Sequence, residues 1–157
     1  MEIAIDSSVL VALLDSRDIW RAQALALLDA LLNAGATPVY FDCVAAEAIS
    51  AATRRLHEKG HAGEVHALVD CLKAQVPLDT LTWILPDVPK LYPQALDLIR
   101  ASSGELNFND ALIALACRER DIPAIASFDV DFDQVAWLER VAEPGEVEIV
   151  HKARGRG

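Results

Sequence analysis

The stretch "LNFNDALIALACRERDIPAIASFDVDFDQV", Leu106 to Val135, passes from helix to strand to acidic turn without a break. Apolar residues fill much of the surface of "NFNDALIALACRERD", which predicts a largely buried helix. Asn107 stands where an N-cap belongs, with Asp110 three positions on. "IPAIAS", 122–127, predicts a buried strand. "SFDVDFDQV", 127–135, then sets Asp129, Asp131 and Asp133 among apolar and aromatic neighbours. Such a density of carboxylates raises three possibilities: a calcium loop, an acidic surface turn, or one corner of an active site. The calcium loop fails at once. Counting from Asp129, the sixth residue is Gln134 rather than glycine, and the twelfth is Arg140 rather than the bidentate glutamate of an EF-hand.

Working outward, "EIAI" (2–5) predicts a buried strand ending in Asp6, Ser7 and Ser8, followed by a short apolar helix. A helix is expected from Asp18 to a stop at Gly35, a strand over "TPVYF" (37–41), and a helix from Asp42 to Gly60. Another helix is expected over roughly 62–75, then a strand in "VPLDTLTWI" with turn character near Asp79. A helix over "VPKLYPQALDLIRASSG" would be interrupted early by Pro93. After the acidic turn come a short helical piece and a last strand, "VEIVH". Strands alternating with helices give an α/β sandwich with a mainly parallel central sheet. One domain over 1–150 is expected, with 151–157 a disordered basic tail.

The chain has 157 residues, 53% of them hydrophobic and 6% aromatic, enough for a core of small aliphatic residues without disulfides. Cys43, Cys71 and Cys117 are odd in number and widely spaced, which reads as reduced thiols. No apolar run nears the roughly 20 residues of a membrane span, and "MEIAID" lacks the pattern of a signal peptide. A cytoplasmic protein without membrane attachment is expected. The formal net charge of −10 excludes a general basic surface for nucleic acid. Any such activity needs local basic patches, bridging metal ions or a basic partner.

In open α/β sheets ligands bind beyond the carboxyl ends of the strands. Asp6 follows the first strand and Asp129 follows "IPAIAS". Asp110 opens the buried helix. Glu47 lies in the second turn of the helix after strand two, amid the small apolar residues of "CVAAEAISAA". Each acid has an ordinary structural explanation: a cap for Asp6, a capping arrangement for Asp110, a solvated position for Glu47, an Asx-turn for Asp129. Four such coincidences at one sheet edge are less probable together than one site.

The ordered set "IDSSVLVALLD", "VAAEAIS" and "LNFNDALIALACRERDIPAIASFDVDFDQV" resembles PIN-domain ribonucleases, and more closely the VapC-like toxins of type II toxin–antitoxin pairs. Asp6 with Ser7 and Ser8 matches the first motif, Glu47 the helical glutamate, and Asp110 in "NDALIALA" the third acid. "SFDVDF" matches the fourth motif, "T-x-D-x-x-F", with Ser127 in place of threonine, Asp129 and Phe132. The region around 60–100 is longer than in compact members. The resemblance implies a PIN-like three-layer sandwich and an endoribonuclease that cleaves single-stranded or looped RNA with Mg²⁺ or Mn²⁺. Asp6, Asp110, Asp129 and Glu47 would be its catalytic and metal-binding acids. It also implies a homodimer held inactive by a small antitoxin. Hard oxygen donors without His or Cys suit Mg²⁺ or Mn²⁺ over zinc. Ser8 and Ser127 would hold the carboxylates by hydrogen bonds, and Arg17, Arg21, Arg54, Arg55 and Lys59 are the candidate phosphate contacts. Asp131 and Asp133 are expected at the turn surface, and Phe132 in the core. Trp20 is expected to be partly buried, Trp83 and Trp137 to serve the core or a dimer.

Other classes explain less. An aspartate-based phosphohydrolase needs D-x-D after strand one, and the triplet here is Asp6-Ser7-Ser8. A receiver-like module needs paired acids there and a lysine after the last strand. A catalytically silent PIN-like scaffold that binds RNA or protein would not need all four acids.

Overall fold

The computed structural model describes residues 1–154, with side chains through Val150. Five strands form one parallel sheet in the order β3-β2-β1-β4-β5: β1 Glu2–Ile5, β2 Thr37–Phe41, β3 Leu81–Thr82, β4 Ala124–Ala126 and β5 Glu139–Val141. β1 is central. Ala4 pairs with Val39 on one side and Ile125 on the other. Ile3, Ala4, Ile5, Ala124, Ile125 and Ala126 are all fully buried. Successive strand residues point to opposite faces, so both faces of the sheet are covered, as an all-parallel sheet requires. The result is the α/β sandwich expected from the alternation of elements.

The covering helices are α1 Ser7–Leu14, α2 Arg21–Asn33, α3 Asp42–Glu58, α4 Val65–Gln75, α5 Val88–Ala101, α6 Phe108–Glu119 and α7 Pro144–Arg154. α1 packs on α3, α3 on α4, α5 on α6, and α2 on α7. In α6 every residue from Asp110 to Cys117 is buried, the physical meaning of its all-round apolar surface. Strand order reverses between β1 and β4, so the topological switch point lies there. Asp6 and Asp129 follow the two strands that flank it.

Several boundaries differ from expectation. "VEIVH" is not a strand but part of α7. The Glu146 carboxylate accepts from the backbone N–H groups of Ala142 and Glu143, at 2.7 and 3.0 Å, and so caps the helix start. Val147 and Val150 are then buried at helical spacing. The fifth strand is "ERV", three residues that pair with β4. Strand character in "VPLDTLTWI" is confined to Leu81–Thr82, because Leu78–Thr80 forms a 3-10 turn after Pro77. α2 starts at Arg21 instead of Asp18, whose carboxylate accepts from the Trp20 N–H in the turn before it (2.8 Å). α5 runs through Pro93 without ending. Of the expected tail, 151–154 continue the α7 backbone and 155–157 lie outside the described residues. Among the described residues no helix is long and apolar enough to cross a membrane.

Candidate active site

Asp6 ends β1 and caps α1. Its Oδ2 accepts from the Ser8 hydroxyl (2.6 Å), the Ser8 N–H (3.2 Å) and the Ser127 hydroxyl (2.8 Å). Among the described residues these bonds all fall on Oδ2, so the cap fixes the carboxylate while Oδ1 stays available. The Asp6 N–H donates to the Ala126 carbonyl (3.0 Å), which ties the end of β1 to the end of β4. The two serines then reach across the switch point. Ser8 Oγ accepts from the Phe128 N–H (3.1 Å) and Ser127 Oγ from the Asp129 N–H (3.0 Å). Ser127 is fully buried.

Asp110 sits in a full capping box. Its Oδ2 accepts from the Asn107 N–H (2.9 Å), and Asn107 Oδ1 accepts from the Asp110 N–H (3.0 Å). Asp129 Oδ1 accepts from the Asp131 N–H (2.9 Å), closing an Asx-turn. The structural explanations for these acids are therefore correct, and they do not compete with a chemical role. Each cap or turn uses one carboxylate oxygen and leaves the other for a ligand. Glu47, half-buried on α3, is approached by Asn109 Nδ2 at 3.5 Å.

The four acids act on one another. Burial, together with the charges of Asp6, Asp129 and Glu47, raises the Asp110 carboxyl to about 6, against the pull of the Asn107 N–H. Burial raises Glu47 as well, with Asp6 and Asp129 adding to it and hydrogen bonds from Asn109 and Ser7 opposing it. Buried carboxylates that repel one another favour a proton or a cation. Among the described residues no three acidic, histidine or cysteine side chains close a ready-made metal cage. An open set of hard oxygens nevertheless fits Mg²⁺, which keeps several waters and takes one or two carboxylates plus substrate phosphates.

Four of the five basic candidates are engaged with the chain itself. Arg17 Nη2 donates to Glu64 Oε1 (2.7 Å), Arg55 Nη1 to Asp18 Oδ2 (2.7 Å), and Arg21 Nη1 to the Leu13 carbonyl (2.6 Å). Arg54 Nε lies 4.0 Å from Glu58 Oε1 across exposed helix surface. Lys59 is exposed. Arg17, Arg55 and Lys59 line one hollow of about 280 Å³ with Trp20. Phe132 is fully buried, as expected, and Asp133 is exposed and bound bidentately by Arg140. Trp137 packs against the core and donates to the Ala114 carbonyl (3.0 Å). Trp83 is not a core residue, being 53% exposed.

Sequence reasoning passed over three residues. Asn109 and Ser7 reach Glu47; the polar "NFND" and "DSS" runs carried that signal. Asp42 is the third. Its carboxylate accepts from the N–H groups of Cys43, Ile84 and Leu85 (3.0, 3.1 and 3.0 Å), which locks the segment after β3 onto the start of α3. No local pattern marks a partner that distant.

The PIN domain family model matches residues 3–138. No curated protein matches the chain in sequence. Among solved structures, it is similar to the crystal structure of Mycobacterium tuberculosis VapC20, described as a sarcin-ricin loop cleaving toxin. The two are 25% identical, with a TM-score of 0.64 over 87% of this chain and 97% of that one. The chain belongs to the PIN domain family and is a VapC-like ribonuclease.

Proposed function

We propose that the chain is a metal-dependent endoribonuclease toxin whose active site is the carboxylate cluster Asp6, Glu47, Asp110 and Asp129. The observation that carries this is the meeting of acids from four segments at the switch point: Ser8 and Ser127 tie Asp6 across it to the Asp129 turn, and Asp6, Glu47 and Asp129 all act on the buried Asp110. Asp6, Asp110 and Asp129 are the proposed ligands of Mg²⁺ or Mn²⁺, with Glu47 at a second ion or at the attacking water. When bound, such an ion acidifies a water for attack on the phosphodiester and neutralises charge on the phosphate.

The chain's own residues prepare that chemistry. Ser8 and Ser127 hold Asp6 rigid, and Asn107 holds Asp110. A carboxylate already oriented loses no rotational freedom when a substrate phosphate arrives. Burial and its acidic neighbours raise Glu47, and its half-buried carboxylate is the proposed acceptor for the proton of the attacking water. Ser8 also occupies the place where an aspartate-based phosphohydrolase carries its second acid, and it donates to Asp6 instead.

Single-stranded or looped RNA is the proposed substrate, since its unstacked nucleotides can splay out toward a site that a duplex would not enter. The sarcin-ricin loop cleaved by VapC20 is one such structure to test. With a net charge of −10, the chain suits a small basic antitoxin, and we place it in the cytoplasm as a homodimer. The test is cleavage of a mixed single-stranded RNA pool with Mg²⁺, Mn²⁺ or EDTA, comparing wild type with Asp6→Asn and Asp110→Asn. Metal-dependent cutting lost in both variants is expected. Cutting that persists in both would overturn the assignment.

A further inference from the structure

Trp20 is an exposed aromatic residue fixed to the carboxylate machinery. It lies in the turn between α1 and α2, and 48% of its surface is exposed. Its ring stacks on Phe128, centroids 5.3 Å apart and planes inclined by 26°. Phe128 falls between Ser127 and Asp129, and its N–H donates to Ser8 Oγ, the hydroxyl that holds Asp6. The Trp20 N–H donates to Asp18 Oδ1, and Arg55 pairs with the other oxygen of the same carboxylate. The Asp18–Arg55 pair thus fixes the backbone of the turn that carries Trp20, and Phe128 supports one face of its indole. Core packing does not need this arrangement, because a buried tryptophan would stabilise more than a half-exposed one.

The surroundings match a nucleotide. Trp20 and the 88% exposed Ile19 share their hollow with three cations, Arg17, Arg55 and Lys59, and two acids, Asp15 and Asp18. Arg17 and Arg55 are paired with acids, so their charge is largely offset. Lys59 has no ion pair among the described residues and is free to meet a phosphate. An aromatic face beside a cation is the pairing that single-strand binders use, stacking the base and neutralising the backbone.

We propose that Trp20 is a stacking platform for one unpaired nucleobase of an RNA strand whose scissile phosphate lies at the carboxylates, with Lys59 on a neighbouring phosphate. This rests on the nuclease function proposed above. Stacking reads no hydrogen-bond pattern, so the platform selects an extruded base over a paired one without choosing its identity.

The experiment is fluorescence anisotropy in Ca²⁺ with two labelled probes, a mixed-sequence 12-nucleotide RNA on the order of one binding site long and the same strand made abasic throughout. Wild type is expected to bind the base-bearing strand about tenfold more tightly, the effect of one stacked base. Trp20→Leu should bring that strand to the abasic affinity and leave the abasic affinity unchanged. Trp20→Phe should keep most of the preference, which separates stacking from misfolding. Lys59→Ala should weaken both strands alike. A Trp20→Leu protein that keeps the preference, or a wild type that binds both strands equally or neither, overturns the proposal. The nuclease function fails separately, when RNA cleavage survives Asp6→Asn whatever the stacking result.

Discussion

Replacing Asp110 with asparagine should stabilise the metal-free protein. The substitution keeps the cap, since the Asn side-chain oxygen can still accept from the Asn107 N–H now bound at 2.9 Å. It removes a charge from a place that disfavours one. Burial and three neighbouring acids raise Asp110 from 3.8 to about 6. The folded chain therefore binds more protons than the unfolded chain between those values. Its stability falls as pH rises through that window and remains lower above it. Two pH units correspond to at most about 3 kcal/mol. Relaxation and residual hydration around the site reduce this to about 1–2 kcal/mol, or about 2–8 °C in melting temperature for a chain of this size. The assay is thermal and urea unfolding in EDTA at pH 7.5, repeated at pH 4. Asp110→Asn should exceed wild type at pH 7.5, and the gap should close at pH 4, where wild-type Asp110 is protonated. Mg²⁺ should stabilise wild type more than the variant. An Asp110→Asn protein less stable than wild type at pH 7.5 without metal would refute the claim that burial, with repulsion from the neighbouring acids, disfavours a charge at this position.

Ser127→Ala removes a buried donor to Asp6 and the acceptor of the Asp129 N–H. Cleavage should fall about 10–100-fold and stability by about 1–3 kcal/mol, whereas Ser127→Thr, which keeps the hydroxyl, should retain cleavage. Asp42→Ala leaves the buried Ile84 N–H without its partner and should cost about 1–3 kcal/mol in urea unfolding, with the rate of cleavage per folded molecule unchanged. Arg17→Ala breaks an exposed ion pair with Glu64, which solvent screens, so its urea midpoint should match that of wild type.

Much of this was legible in the sequence because local physics and the fold agreed. β1, β2 and α3 fall where their apolar runs and flanking turns put them, since a central parallel strand must be apolar on both faces. Asp6, Asp110 and Asp129 could be located for the same reason: each doubles as a cap or turn residue at the start or end of an element, whereas Glu47, inside α3, was marked only by its small apolar neighbours. What stayed hidden depends on distant partners. β5 is three residues long, and only its pairing with β4 makes "ERV" a strand. "VEIVH" has strand composition, and the Glu146 cap with burial of Val147 and Val150 overrides it. Asp42 looks like any residue that opens a helix until Ile84 and Leu85 arrive from 42 and 43 positions away. The Trp20–Phe128 stack joins a turn to a strand end more than a hundred residues later, so neither segment announces it.

The most direct test of the central claim is Mn²⁺ titration calorimetry on wild type, Asp6→Asn and Asp110→Asn, since it does not depend on knowing the RNA target. Saturable binding by wild type that is lost or weakened at least tenfold in both variants is the expected result. Equal binding by all three proteins, or no binding by a folded wild type, would contradict a single divalent-cation site built from these acids.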